Sequence, residues 1–335
     1  MGKTVRAAIL GTGRFADRTH LPNLTRLDGV DVVAACDVDP DAAREAAEAF
    51  DIPAWYTDGH EMLGRETIDV LYSVIPAFAR TDVEATAAER GIHLFSEKPQ
   101  ATRMAVAWRI DEAIQKSGVL STVSFRERYR PIFQEAHRLL VGRTIVHAKF
   151  FQPGGLPKKT PPPERRNWHQ QMSKAGGRAF DWGVHAVDYT RFMTGLDFDR
   201  AQAFYHHPPD YDSPLSSSFS LRFSTGATMT LSFVASAGSG AYRMPWFTFY
   251  TEDGCLEIHR YERIDLNGET VYQAEDFDPW FEQTRVFIDA VRTGDGSGIL
   301  NDYHDGLYTL GTVLAGWASA RRGGACIDVA KFMEA

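Results

Sequence analysis

The sequence predicts a two-part protein. A doubly wound parallel α/β sheet occupies residues 1–122, and an α+β part with a large, mostly antiparallel open sheet occupies residues 123–335. Three observations carry this. The length of 335 residues suits two domains at about 150 residues each. Strand-like and helix-like patterns alternate through the first part, the signature of βαβ units. Beyond residue 145 strand-like runs follow one another with few helices between them, as in an antiparallel sheet.

The elements follow in order. Val5 to Leu10 is a buried-strand run ending at Gly11, with a helical stretch to about Leu27. Val30 to Cys36 is the next strand, and the Ala- and Glu-rich stretch Asp41 to Phe50 is a helix. A strand over Val70 to Ile75 is closed by Pro76; Thr81 to Arg90 is helical and His93 to Ser96 is strand. Met104 to Ser117 is a helix and Leu120 to Ser124 the last strand of this part. The second part opens with a helix at Ile132 to Leu140. Strands are expected at Ile145 to Phe151, Ser217 to Phe223, Thr228 to Ala235, Trp246 to Thr251 and Cys255 to His259, separated by Gly-containing turns. Helices lie near Trp182 to Met193, Phe277 to Thr293 and Asp302 to Arg321, the last expected to pack back on the first domain. No internal repeat is visible.

Composition narrows the function classes. With 44% hydrophobic and 24% charged residues, the chain is neither disordered nor a disulfide-stapled miniprotein. A net charge of −8 argues against a nucleic-acid footprint. No run is long enough for a membrane span, and the apolar run near the N-terminus is too short for a signal peptide. Cys36, Cys255 and Cys326 have no metal-ligand spacing and are expected as buried packing in a reducing, cytoplasmic compartment. Residues 123–191 carry a net +8 between acidic flanks.

Gly11-Thr12-Gly13-Arg14-Phe15-Ala16 is a G-x-G-x-x-A motif placed after a strand and opening a helix. Gly11 allows the tight turn, Gly13 lets backbone approach a pyrophosphate, and Ala16 permits close helix–strand packing. The helix N-terminus offers N–H groups and its dipole to phosphate. Asp37, at the end of the second strand, suits the adenosine ribose hydroxyls and would repel a 2′-phosphate, which favours NAD over NADP. This is the Rossmann-type arrangement. Lys98, in Ser96-Glu97-Lys98-Pro99, follows a parallel strand and falls at the carboxyl edge of the sheet, where such folds bind ligands. In Gly176-Gly177-Arg178-Ala179-Phe180-Asp181-Trp182-Gly183-Val184-His185, Asp181 and His185 are four apart and share a face if the stretch is helical.

Together these motifs, with Arg128-Tyr129-x-Pro131, Asn167-Trp168, Asp188 and the Asp305-Gly306-Leu307 to Ala318-Ser319-Ala320 run, resemble the glucose–fructose oxidoreductase / inositol dehydrogenase (Gfo/Idh/MocA) family across nearly the whole chain. The resemblance implies an NAD(P)-dependent dehydrogenase acting on a secondary alcohol of a sugar, sugar acid or cyclitol. His185 would exchange the hydroxyl proton, Lys98 would polarise the reacting oxygen, and Asp181 would orient His185 or grip a neighbouring hydroxyl. Cofactor contacts would come from Gly11, Thr12, Gly13, Arg14, Phe15, Asp37, Val74, Pro76, Glu97 and Lys98. Substrate contacts would come from Lys98, Arg128, Trp168, Asp181 and His185, with Trp168 as a stacking face. Pro99 is a candidate cis bond.

The chain departs from the family pattern at Val74-Ile75-Pro76-Ala77 and Arg80, where the family often has Thr-Pro-Asn and a later His, and at Gln100 and Arg178. The basic segment, with Arg126, Arg128, Arg165, Arg166 and Arg178, suggests an anionic substrate; alternatively these cations pair with the acidic C-terminal region. Other readings of the same fold are an NAD-assisted glycosidase and a non-catalytic NAD- or sugar-sensing protein. No metal is expected, since Asp181, His185 and Asp188 lack a further ligand at recognisable spacing. A homodimer or homotetramer is expected from the resemblance.

Overall fold

The computed structural model describes residues 4–161, 168, 171–238 and 244–335. Arg165, Arg166 and Asn167 lie outside them. The chain divides into two compact units, Met1–Tyr129 with Asp278–Leu307, and Arg130–Phe277 with Tyr308–Ala335. The cut expected after residue 122 therefore falls after Tyr129, and Asp278–Leu307 returns to the first unit. The helix Tyr303–Arg321 is divided at Leu307. A linear pattern gives no sign of such a return, because it is decided by which core an apolar helix face completes.

The first unit is a six-stranded parallel sheet. Its strands are β1 (Val5–Leu10), β2 (Val30–Cys36), β3 (Trp55–Tyr56), β4 (Val70–Ser73), β5 (His93–Ser96) and β6 (Ser121–Val123). Their order is β3-β2-β1-β4-β5-β6, which places the topological switch point between β1 and β4. Ala7, Ala8 and Ile9 are all fully buried, which is why β1 reads as a continuous apolar run rather than an alternation. Tyr72 and Phe95, register partners on β4 and β5, stack with ring centroids 4.5 Å apart. Phe287 and Ile288 of the returning helix Pro279–Thr293 complete that cluster.

The short β3 and the helix Gly59–Arg65 escaped the sequence patterns. Two residues carry no period, and a helix with two glycines among seven positions has weak propensity. The helix is started by Asp58, whose carboxylate accepts the Glu61 N–H at 2.8 Å.

The second unit holds a nine-stranded sheet of β7 (Ile145–Gly154), β8 (Phe198–His206), β9 (Ser216–Phe223), β10 (Thr228–Ala235), β11 (Phe247–Thr251), β12 (Gly254–His259), β13 (Arg263–Leu266), β14 (Glu269–Gln273) and β15 (Ile327–Asp328). The order is β14-β13-β12-β11-β7-β10-β9-β8-β15, and only β7 and β10 pair in parallel, so the sheet is mostly antiparallel as expected. Along β9, Ser217, Phe219, Leu221 and Phe223 are buried while Ser218, Ser220 and Arg222 are exposed, the period-2 signature of a sheet covered on one face. The helices Pro131–Leu140 and Gly183–Thr194 and the later turns of Tyr303–Arg321 belong to this unit. Gly316 lies so close to the sheet that a Cβ there would sit 2.3 Å from the Phe219 ring. Of the cysteines, Cys36 is buried, but Cys255 is half-buried and Cys326 is exposed, against the expectation of three packing residues.

Candidate active site

In the first unit the chemistry-bearing residues gather at the carboxyl edge of the sheet because backbone hydrogen bonds run past the strand ends. Gly11 N–H donates to Cys36 O at 2.7 Å, Val74 N–H to Leu10 O at 2.7 Å, and Glu97 N–H to Ser73 O at 2.9 Å. The G-x-G-x-x-A loop, Asp37, Val74 and Glu97-Lys98 are thus ordered along one rim. Gly11 adopts φ +91°, and a Cβ there would meet Val74 O at 2.7 Å. Nothing lies within 4 Å of a Cβ built on Gly13, which leaves room for a ligand against the loop. A helical run follows over residues 14–25, with a wider π-type turn at Ala16–His20.

Asp37 does two jobs. One carboxylate oxygen accepts the Thr12 N–H at 2.8 Å, which pins the glycine loop, and the other accepts Asp39 N–H at 3.1 Å. The first oxygen also accepts the Thr12 hydroxyl at 3.4 Å, so it is the second that keeps a further lone-pair direction for a ribose hydroxyl. The next residue, Val38, is 91% exposed, an apolar side chain a bound adenine would cover. The open Gly13 flank, the pinned carboxylate and the helix start fit a dinucleotide.

Beneath Glu97 lies a buried polar cluster that sequence reasoning noticed only as a departure. Arg80, in the extended segment before the helix Val83–Glu89, and Glu84, four residues on, form a fully buried pair at 2.7 Å; Arg80 also donates to Ser73 Oγ at 3.0 Å and to the Glu97 carbonyl. Arg80 thereby holds the backbone that carries Glu97-Lys98. The Glu97 side chain is buried and meets His20 Nε2 at 2.9 Å through Oε1, while Oε2 accepts the Lys98 N–H at 3.1 Å. Burial alone would push the Glu97 carboxyl up, but the hydrogen bond and charge of His20, with Lys98, hold it below the ordinary carboxylate value. The Lys98–Pro99 peptide is cis. Gln100 is buried and donates to Tyr303 O at 2.8 Å.

Arg126 and Arg128 have structural employment. Arg126 stacks over Trp280 at 3.5 Å and pairs with Glu127. Arg128 donates to Leu300 O at 2.7 Å and to the Asp305 carboxylate, binding the returning segment to its own unit. This is the pairing with acidic C-terminal residues that the sequence left open.

In the second unit, Arg178–Asp181 and Gly183–Thr194 are two helices joined at Trp182, so the expected helical placement of His185 is met while Asp181 ends the preceding turn and is exposed. His185 is 4% exposed; its Nδ1 lies 2.8 Å from the Tyr189 hydroxyl, one turn on, and Trp182 flanks the ring at 5.3 Å. The i+4 spacing of Tyr189 from His185 is the sequence signal for this contact. Trp168 is half-buried. Arg178 lies against Gly154, where a Cβ would overlap its guanidinium, and burial pulls that guanidinium below its ordinary value against the opposing charge of Asp181. Asp188 is fully buried and meets Thr309. Among the described residues, the His/Asp/Glu group with ligand atoms within 4.8 Å of one another is Glu257, His259 and Asp265 on the sheet, where Asp265 is already held by Arg263 and Thr270.

Fold and rim together define a class: a Rossmann-type dinucleotide unit joined to an open-sheet α+β unit. Residues 5–125 match the family model described as "Oxidoreductase family, NAD-binding Rossmann fold", and residues 144–257 match "GFO/IDH/MocA C-terminal domain". The chain belongs to the Gfo/Idh/MocA oxidoreductase family. It is 29% identical over 202 residues to scyllo-inositol 2-dehydrogenase (NAD(+)) of Bacillus subtilis (strain 168), covering 59% of this chain and 56% of that one, so the match spans about half the relative's length. It is 25% identical to 4-carboxy-2-hydroxymuconate-6-semialdehyde dehydrogenase of a Sphingobium species, over 87% of this chain and 91% of that enzyme. The fold is that of the WlbA dehydrogenase from Bordetella pertussis, solved with NADH and UDP-GlcNAcA: TM-score 0.79, 22% identity, covering 97% of this chain and 99% of that one. Among the described residues, no helix is long and apolar enough to cross a membrane.

Proposed function

We infer that this protein is an NAD-dependent oxidoreductase that moves a hydride between a secondary-alcohol carbon of a sugar, sugar acid or cyclitol and nicotinamide. The observation that carries the reading is the single rim on which the open glycine loop, Asp37 and Glu97-Lys98 are strung by consecutive backbone hydrogen bonds. Bound nicotinamide would supply the hydride acceptor or donor. Lys98 donates a hydrogen bond to the reacting oxygen and favours negative charge there as the C–H bond breaks. His185 takes the hydroxyl proton during oxidation and returns it during reduction, with Tyr189 fixing the Nδ1 side of its ring. Asp181 grips a neighbouring hydroxyl and Trp168 offers an apolar face to the ring of the substrate. Asp37 disfavours a 2′-phosphate, so NAD is preferred to NADP.

The relative named scyllo-inositol 2-dehydrogenase supports a cyclitol or sugar-like polyol. With Arg126 and Arg128 engaged internally and Arg165 and Arg166 outside the described residues, Arg178 is the remaining described arginine of that set to meet an acidic substrate. The test is nicotinamide reduction by the purified protein across sugars, uronates and inositols, with NAD and with NADP. Turnover with at least one polyol, faster with NAD, is expected. No reduction with any of them would overturn the reading; tightly held NAD without net NADH release, together with glycoside cleavage, would replace it by the NAD-assisted glycosidase.

A further inference from the structure

Within the first unit, a chain of contacts joins the dinucleotide helix to the backbone of Lys98. His20 lies on the helical run that opens with the glycine motif, at the last position of the π-type turn. Its side chain is 2% exposed. Nε2 meets Glu97 Oε1 at 2.9 Å, across 77 residues of sequence, and Oε2 of the same carboxylate accepts the Lys98 N–H at 3.1 Å. The ring is walled by Phe15, Phe95 and Tyr72, with centroids 5.2, 5.3 and 5.9 Å away. Nδ1 is buried with no hydrogen-bond partner.

That arrangement is costly unless it does something. A buried imidazole nitrogen without a partner forfeits its hydration, and a buried carboxylate needs partners on both oxygens. The wide turn is part of the same device. A π-type turn inserts one residue relative to an α-helix and rotates every later residue by about 100° around the axis, so an uninterrupted helix would aim residue 20 elsewhere. With Nδ1 sealed among aromatic rings and Nε2 committed to Glu97, His20 has no path to exchange a proton with a substrate. Its remaining capacity is to hold Glu97 in place.

We propose that His20 is a positioning residue for hydride transfer: it clamps Glu97, and Glu97 fixes the Lys98 peptide so that the ammonium is presented to the reacting oxygen. This rests on the role given to Lys98 above. The clamp also links the pyrophosphate helix to the reacting end, so that one rigid path spans both parts of the cofactor contact set.

The test uses the full-length protein with His20→Phe, which keeps a ring and removes the donor, and His20→Gln, whose Nε2 restores a donor near the same place. Two readouts are measured. The first is hydrogen exchange of the Lys98 amide without substrate; Pro99 contributes no amide, so a short peptide reports it cleanly. The second is kcat separately from KM for NAD. Expected for His20→Phe are an exchange rate about 10- to 100-fold faster, kcat lowered by a similar factor and KM for NAD changed by no more than about 2-fold. His20→Gln should recover most of both.

Unchanged Lys98 exchange in His20→Phe would overturn the clamp. Faster exchange with unchanged kcat would overturn its catalytic relevance. Equal losses in His20→Phe and His20→Gln would reduce His20 to packing. If the wild type itself reduces no nicotinamide, the dehydrogenase reading fails, while the exchange measurement still decides whether the clamp exists.

Discussion

Among the described residues each unit buries one histidine, His20 and His185, and the two are treated differently by their surroundings. His20 in the first unit meets a carboxylate through Nε2; His185 in the second meets a phenol through Nδ1. A carboxylate only accepts, so it holds the imidazole in one orientation through a charge-assisted bond. A phenol both donates and accepts, so it can keep its bond to the ring while the ring changes protonation state. The first environment suits a fixed strut and the second suits a group that must take up and return a proton. Burial by itself therefore does not separate the two proposed roles; the partners named here differ in what they allow.

The largest effect should come from removing the floor under the first histidine's partner. Arg80→Ala leaves Glu84 buried and unpaired and frees the Glu97 carbonyl, and should lower unfolding free energy by about 3–5 kcal/mol, read from the urea midpoint at constant slope. Next come the two groups proposed to act on the reacting oxygen. His185→Ala and Lys98→Ala should each lower turnover at least about 100-fold with an unchanged circular-dichroism spectrum; full activity in either would end the proposed mechanism. If His20 were the proton carrier instead, its variants would match His185→Ala in size and in pH profile, and the contrast between the two histidines would be broken.

Smaller effects sharpen the contrast. Asp37→Ser should raise KM for NAD about 10-fold and narrow the preference over NADP, since it removes both the ribose acceptor and the repulsion of a 2′-phosphate. Tyr189→Phe should reduce kcat about 3- to 10-fold, the size of one lost hydrogen bond to the ring. The smallest is a pH effect on stability. The Glu97 carboxyl lies below its ordinary 4.5 in the folded protein, so its contribution is fully present above that value and is lost as the pH falls through the lowered one. Urea midpoints of Glu97→Gln should consequently fall less steeply in acid than those of the wild type; parallel profiles would count against a stabilised Glu97 carboxylate.

How much was readable in advance depended on whether partners are neighbours in sequence. Gly11, Gly13, Ala16 and Asp37 were legible because strand, turn and helix are local, and the turn chemistry demands those residue types in that order. Glu97-Lys98 was legible because a strand end in a parallel sheet fixes its edge. Tyr189 and the Arg80–Glu84 pair were within reach, since both are i+4 spacings, but a spacing does not announce burial. The Arg128–Asp305 pair was not legible, because the two residues are 177 apart. β13 and β14 went unseen because four- and five-residue strands joined by a tight turn carry little periodic signal.

The sequence by itself determined the parallel α/β first unit, the mostly antiparallel second unit and the placement of the glycine loop, Asp37 and Glu97-Lys98 at the strand ends, because helix and strand periods and glycine turns are written in neighbouring positions. The tertiary structure decided the return of Asp278–Leu307 to the first unit, the internal commitment of Arg126 and Arg128, and the partners of the two histidines. The physical reason is the same in each case. A side chain's hydrogen bonds and desolvation are set by whatever the fold brings within about 3 Å, and most of those groups lie far along the chain.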